Sequence, residues 1–297
     1  MYRQTIAGIR RGSRFSPNHT GNDAAIFSLT AEALRKSGFK VNEYPESILE
    51  ESLLEEPAIF GMARAAASVS VLRKYEDEGR PVINSAYGIG NCTRVNMTRL
   101  LLSNLVPHPA SLIVGTDTYL PPLLDEASIH ECWIKRGDAH AIHREDVSYA
   151  RNHEEAQGIL REFALRGIGD AVVNEHLTGD LVKFYGVRDT DFFYRFYPTA
   201  AGHSKFGLER INGAARGIPY DPSALQSMCN RAASILNISI YGGDCIVSDD
   251  GEIRLIDFND WPSFAPCREE AAINIAGHIR SQVNSNTRCR DIKSVAI

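Results

Sequence analysis

The chain has 297 residues, 43% of them hydrophobic, with a formal net charge of −5 and a pI near 6.0. That length allows about two domains and a sizeable core, and the mild acidic excess argues against the overall basic surface of a nucleic-acid binder while leaving room for a local basic pocket. The sequence has no apolar signal core, no run near the ~18 residues of a membrane span, and six cysteines without C-x-x-C spacing. A soluble, cytoplasmic protein with reduced core thiols and neither a nucleic-acid nor a membrane partner is expected.

A short apolar strand is expected over residues 5–9, followed by an arginine-rich turn. Helical periodicity over 23–37 stops at Gly38. Strands are expected over 39–44, 58–62 and 81–85, with a helix over 65–78 that stops at Gly79. Strand–helix alternation implies a parallel sheet covered by helices, so residues 1–90 read as an α/β unit.

A helix over 94–104 leads through Pro107 and Pro109 into a different texture. It offers a strand over 132–135, a helix over 153–166 closing at Gly167, and strands over 171–176, 180–187 and 191–197. Asp221-Pro222 supplies an N-cap and a first-turn proline for a helix to about 236. Strands over 244–247 and 253–258 flank Ser248-Asp249-Asp250-Gly251, a strong hairpin signal. A last helix runs from 268 to about 283. Residues 91–284 therefore read as an α+β unit, and 285–297 as a loosely ordered polar tail.

Chemistry concentrates in three places. Asp257 and Asn259, two apart on a strand, project together, and Asp244 opens the neighbouring strand. Three oxygen ligands on one hairpin suit Mg²⁺, which takes its remaining ligands from water and phosphate; polar residues at hairpin ends are also common without a metal. Lys135 leaves a strand beside a polar loop containing His140 and His143, where it suits phosphate as a point charge or a solvated strand end. Asn174-Glu175-His176-Leu177, with Asp180 and Lys183 beyond, suits a nucleotide base and ribose, or an ordinary surface strand.

In this order and at these separations, the clusters resemble the ATP-grasp superfamily over about residues 80–280. Asn84-Ser85-Ala86 followed by Arg94 resembles the start of its ATP-binding half, with Arg94 where a Lys usually stands. Lys135 resembles its second phosphate-binding lysine, and Val173 to Leu177 the strand that meets adenine. Asp180 and Lys183 resemble the ribose and phosphate contacts that follow. Arg210 and Asn212 correspond to a polar pair near the triphosphate, grouped here with the acceptor contacts. Gly243-Asp244 and Ile256-Asp257-Phe258-Asn259 resemble the magnesium-binding strands. The resemblance implies an ATP-grasp fold behind an N-terminal parallel-sheet domain, with ATP and Mg²⁺ as cofactors. The loop after Lys135 departs from the pattern in lacking repeated glycines.

Most members of that superfamily activate a carboxylate as an acyl phosphate, and a minority phosphorylate inositol phosphates. Three details resemble the kinases: Asp257 where ligases usually have Glu, the run Trp261-Pro262-Ser263-Phe264, and the Ala139-His140-Ala141 stretch. The expectation is a kinase acting on a small anionic acceptor, with Lys135, Lys183 and His140 catalytic. The alternative is a carboxylate–amine ligase resembling RimK and glutathione synthetase. A nucleotide-binding regulator without turnover would have lost a metal ligand, and none is lost. Arg10, Arg11 and Arg14, then Asn18 and His19, follow the first strand and are expected to meet the acceptor's anionic groups.

Overall fold

Apolar strands that alternate between two helical layers build the N-terminal part of the chain. The computed structural model describes residues 4–15, 20–138, 143–198 and 211–295. There, β1 (Gln4–Ile9), α1 (Thr20–Lys36), β2 (Phe39–Tyr44), α2 (Ile48–Glu51), β3 (Ile59–Gly61), α3 (Ala66–Asp77) and β4 (Val82–Ile83) follow one another. The strands form a parallel sheet in the order β2-β1-β3-β4. Ile6 faces the α1 layer, whereas Ala7 and Ile9 face Leu72 and Val69 of α3. Gly38 ends α1 at φ +93°, a backbone region that costs other residues steric strain. The strand expected over 81–85 is shorter because Ser85 turns to cap α4 (Ala86–Asn91), accepting from Gly88 N at 3.3 Å.

After α5 (Arg94–Ser103) come β5 (Ser111–Gly115), α6 (Pro121–Glu126), β6 (Cys132–Arg136), β7 (Val147–Ala150), α7 (His153–Leu165) and β8 (Asp170–Glu175). This central sheet is antiparallel, in the order β5-β8-β6-β7. Ile134 and Val173 pack against Leu160 and Phe163 of α7 on one face. Sequence analysis missed β5, α6 and β7. They are short, and β5 has no alternation of buried and exposed residues.

The third sheet contains β9 (Asp180–Val187) and β10 (Phe193–Phe196), then, beyond α8 (Pro222–Ile235), β11 (Ile240–Val247) and β12 (Ile253–Asp260). Its antiparallel order is β10-β9-β11-β12. Leu225, Cys229 and Ala232 of α8 bury its inner face with Phe184, Leu255 and Phe258. Asp244 was expected to open its strand, but β11 begins at Ile240. Gly242-Gly243 lies inside the ladder, where a Cβ on Gly243 would fall 2.2 Å from Asp257 O.

The last helix, α9 (Arg268–Val295), runs past the expected stop near 283 and returns to the first sheet. Its Ile275 and Ile279 join Ile6, Phe27, Phe60, Trp261 and Phe264 in one buried cluster. Asn84, just after β4, ties the first sheet to the start of β11. Its Nδ2 donates to Ile240 O at 2.7 Å, and its Oδ1 accepts from Ser239 N and Ile240 N, each at 2.9 Å. Among the described cysteines, Cys92, Cys132, Cys229, Cys245 and Cys267 are free thiols, and no described helix is long and apolar enough to cross a membrane.

Candidate functional site

Strand register assembles the site. Lys183 of β9 lies opposite Asp244 of β11, and Asp244 lies opposite Asp257 of β12, so three charged residues form one row across three strands. Residues directly opposite in an antiparallel ladder share a face. Lys183 Nζ donates to Asp244 Oδ1 at 3.0 Å and Oδ2 at 3.2 Å. Asn259, two residues beyond Asp257, projects from the same face.

Two further cations approach the row. Arg94, at the start of α5, donates from Nη1 to Asp257 Oδ1 at 2.9 Å, and its side chain is only 7% exposed. Lys135, from β6 of the central sheet, donates from Nζ to Ile256 O at 3.0 Å. The β12 backbone bulges here: the ladder steps from Asp244↔Asp257 to Cys245↔Leu255 and leaves Ile256 without a register partner. A bulge interrupts the ladder and re-aims backbone groups, which presents that carbonyl to Lys135. Burial lowers the Lys135 ammonium to about 7, repulsion by Arg94 adds to the effect, and Asp257 and Asp244 oppose it. His108, in the connection before β5, is held neutral with its pKa lowered to about 4, first by burial and then by Lys135. Sequence analysis did not single it out.

Among the described residues no three His, Cys, Asp or Glu side chains cluster as a metal site. The row instead offers two carboxylates in register with Asn259 beside them. That donor set fits Mg²⁺, which is usually held by one or two carboxylates plus phosphate and water. Here Lys183 and Arg94 neutralise the two carboxylates.

The central sheet carries an aromatic surface beside Lys135. Trp133 Nε1 donates to His176 Nδ1 at 3.0 Å, and Tyr149 meets His176 at 5.0 Å and Trp133 at 5.3 Å between ring centroids. Trp133 and Lys135, two apart on β6, share a face, which places a flat aromatic surface beside the Lys135 ammonium. That alternation is the signal by which sequence could have found Trp133. The Asn174 side chain is buried and donates to Ser111 Oγ at 2.8 Å. Glu175 N and His176 N donate to Ala110 O and Glu131 O, and Leu177 O accepts from Asn212 Nδ2 at 3.2 Å. Asp180 behaves differently from the ribose contact expected of it. It is 1% exposed, and its two oxygens accept from Arg216 N and Ile218 N, each at 2.8 Å. Burial pushes this carboxyl up, but the loop amides outweigh it and the net shift is downward.

Among the described residues, Arg10 and Arg11 after β1 are engaged in ion pairs. Arg10 pairs with Glu43 and lies 4.7 Å from the Phe27 ring. Arg11 is buried and fully engaged, donating to Asp23 Oδ2 at 3.1 Å, Trp261 O at 2.9 Å and Met62 O at 3.2 Å. Arg14 is exposed and rests over the Phe15 ring. Asn18, His19, His140 and Arg210 lie outside the described residues.

No protein-family model matches the sequence, and no curated protein matches it. Solved structures do. The D-alanine–D-alanine ligase of Coxiella burnetii superposes with a TM-score of 0.69 at 10% identity, over 99% of this chain and 99% of that protein. A RimK-domain ATP-grasp protein of Sphaerobacter thermophilus gives 0.67 at 15% identity, over 92% of this chain and 98% of that one. The ATP-grasp ligase PsnB, complexed with the precursor peptide PsnA2 and AMPPNP, gives 0.62 at 18% identity over 94% and 97%. The chain has the ATP-grasp fold.

Proposed function

We propose that this chain is an ATP-dependent carboxylate–amine ligase working through an acyl phosphate. The observation that carries the reading is the row Lys183–Asp244–Asp257, faced by Arg94 and Lys135. It concentrates three cations and two carboxylates in a cleft with an aromatic surface at one end. Asp244, Asp257 and Asn259 would hold Mg²⁺, which offsets charge on phosphate oxygens. Lys135 would move from the Ile256 carbonyl to the nucleotide phosphates. Arg94 would release Asp257 and do the same.

In the reaction, a carboxylate oxygen forms a bond to the γ-phosphorus as the bond to ADP breaks. The amine nitrogen then attacks the acyl carbon, inorganic phosphate leaves with the C–O electron pair, and the amine gives up a proton. These residues position the reactants and offset charge without forming a covalent intermediate.

The kinase expectation loses its footing. It rested on Asp257, the Trp261-Pro262-Ser263-Phe264 run and the Ala139-His140-Ala141 stretch, with Arg10, Arg11 and Arg14 as candidate contacts for the acceptor, and of these contacts Arg10 pairs with Glu43 and Arg11 with Asp23. The structurally similar proteins named above as ligases also favour the alternative. The test is the product: ATP consumption should release free phosphate only when a carboxylate and an amine are both present. Transfer of label from γ-labelled ATP to a polyol, with free phosphate at background, would reject the ligase.

A further inference from the structure

The face that carries Lys183, Asp244 and Asp257 continues into a second row, and that row is aromatic. One step along the ladder, Tyr194 lies opposite Tyr185, Tyr185 opposite Gly242, and Gly242 opposite Asn259. In the first row, Phe196 lies opposite Lys183. Tyr185 is half-buried, with its ring centroid 5.7 Å from Phe196 and 5.1 Å from Phe264, and Tyr194 is 5.8 Å from Phe196. Gly242 makes a notch beside Asn259: a Cβ there would stand 2.6 Å from Tyr185 Cδ1 and 2.7 Å from Pro262 Cγ. The tyrosine ring therefore leans across the glycine to the edge of the metal-ligand set.

Charge narrows what this surface can take. Burial raises the Tyr185 phenol to about 12, Lys183 opposes that rise, and Asp244, Cys267 and Arg268 also act on it. The hydroxyl is thus neutral, set between the catalytic row and the start of α9. Arg268 donates from Nη2 to Asn22 Oδ1 at 2.5 Å, and its Nε is buried without a partner. The nearby Arg11 and Arg64 are bound to Asp23 and Asp260. One guanidinium edge can balance a single negative charge, whereas a polyanion would need several.

We infer that this second row selects the carboxylate substrate, which carries a single carboxylate and an aromatic or large apolar side chain packed on Tyr185 and Tyr194. The inference rests on the ligase reading and adds the substrate class to it. Aromatic pairs prefer offset or edge-on contacts at centroid separations of about 4.5–7 Å, and Tyr185 and Tyr194, each partly exposed at the rim of the core cluster, leave ring surface for one more such contact. A small or acidic side chain would leave the surface wet and gain little from it.

Calorimetry on the full chain, with Mg²⁺ and a non-hydrolysable ATP analogue, tests this. Phenylalanine and 3-phenylpropionate should bind at least about tenfold more tightly than alanine or glutamate, a contrast of the size expected from burying a large apolar side chain. Tyr185→Ala should bring the carboxylates to within about twofold of one another and leave analogue affinity unchanged, while Tyr185→Phe keeps the preference. If Tyr185→Ala does not fold, Tyr194→Ala on edge strand β10 makes the same comparison. Equal or tighter binding of alanine or glutamate would overturn the inference. So would an absence of aromatic binding while the analogue binds, or a preference that survives both alanine variants. Failure of the ligase reading looks different: the analogue itself would not bind, or phosphate release would not depend on carboxylate and amine.

Discussion

The turn after β1 and the open face of the β9–β11–β12 sheet are both rich in charge, but they hold it in different ways. In the turn, Arg11 and Asp23 are 5% and 9% exposed, and the guanidinium also caps two carbonyls. On the sheet, Lys183 and Asp244 are 18% and 23% exposed at the edge of a cleft. A buried pair cannot change partners without stranding a charge. A pair at a cleft can exchange its partner for a phosphate or a metal at little cost. The difference teaches that density of charge marks a site only where the counter-charge can be traded.

The largest effect is expected from breaking the buried pair. Arg11→Ala should lower unfolding stability by about 3–5 kcal/mol, the usual cost of leaving one member of a buried pair behind. Urea denaturation measures it, and the folded fraction should keep its affinity for both substrates. Unchanged stability with a weakened acceptor would return Arg11 to the acceptor site and erase the contrast.

Next comes Asp257→Asn, which should leave the melting temperature nearly unchanged and lower kcat by about 10²–10³, the typical loss for one electrostatic contact at a reacting phosphate or oxyanion. Wild-type turnover in that variant would exclude the proposed metal row. Lys135→Ala should weaken nucleotide binding by about 10- to 150-fold, equivalent to about 1.5–3 kcal/mol, as read by calorimetry. Unaltered affinity would make Lys135 a structural prop for the Ile256 bulge.

The same lysine gives a pH signature. Its folded-state pKa is lowered from 10.5 to about 7, so between those values the unfolded chain holds a proton that the folded one has lost. Stability contributed by this residue therefore rises with pH across that window. The difference in unfolding free energy between wild type and Lys135→Met should follow that slope, and a flat difference would contradict it. The smallest effect belongs to Arg14→Ala. An exposed arginine resting on Phe15 should change stability by no more than about 0.5 kcal/mol, and a change in substrate affinity would show that the turn has a free cation after all.

Much of the scaffold was legible locally. Asp221 accepts from Ser223 N at 2.8 Å and caps α8 as its sequence position suggested, and Ser248 to Gly251 turns between β11 and β12. Asp257 and Asn259 could be placed on one face because strand alternation is a local rule. The bulge at Ile256 was not legible, since it depends on how β12 pairs with a second strand. Nor was the fate of Arg11, whose carbonyl partner Trp261 lies 250 residues further along. The Asp180 carboxylate likewise serves backbone amides 36 and 38 residues away. The aromatic second row was invisible for the same reason: Tyr185, Gly242 and Asn259 become neighbours only through register.

The return of α9 to the first sheet has a consequence for synthesis. Ile6, Phe27 and Phe60 share their buried cluster with Ile275 and Ile279, so the first layer is finished by a helix synthesised long after it. At ~5–20 residues per second, the ribosome leaves that apolar face waiting while both intervening sheets are made. The expected result is a nascent chain that needs a chaperone or transient partner on its first layer. Ribosome-bound chains halted after residue 266 should therefore be cleaved within α1 by a protease that spares the released protein.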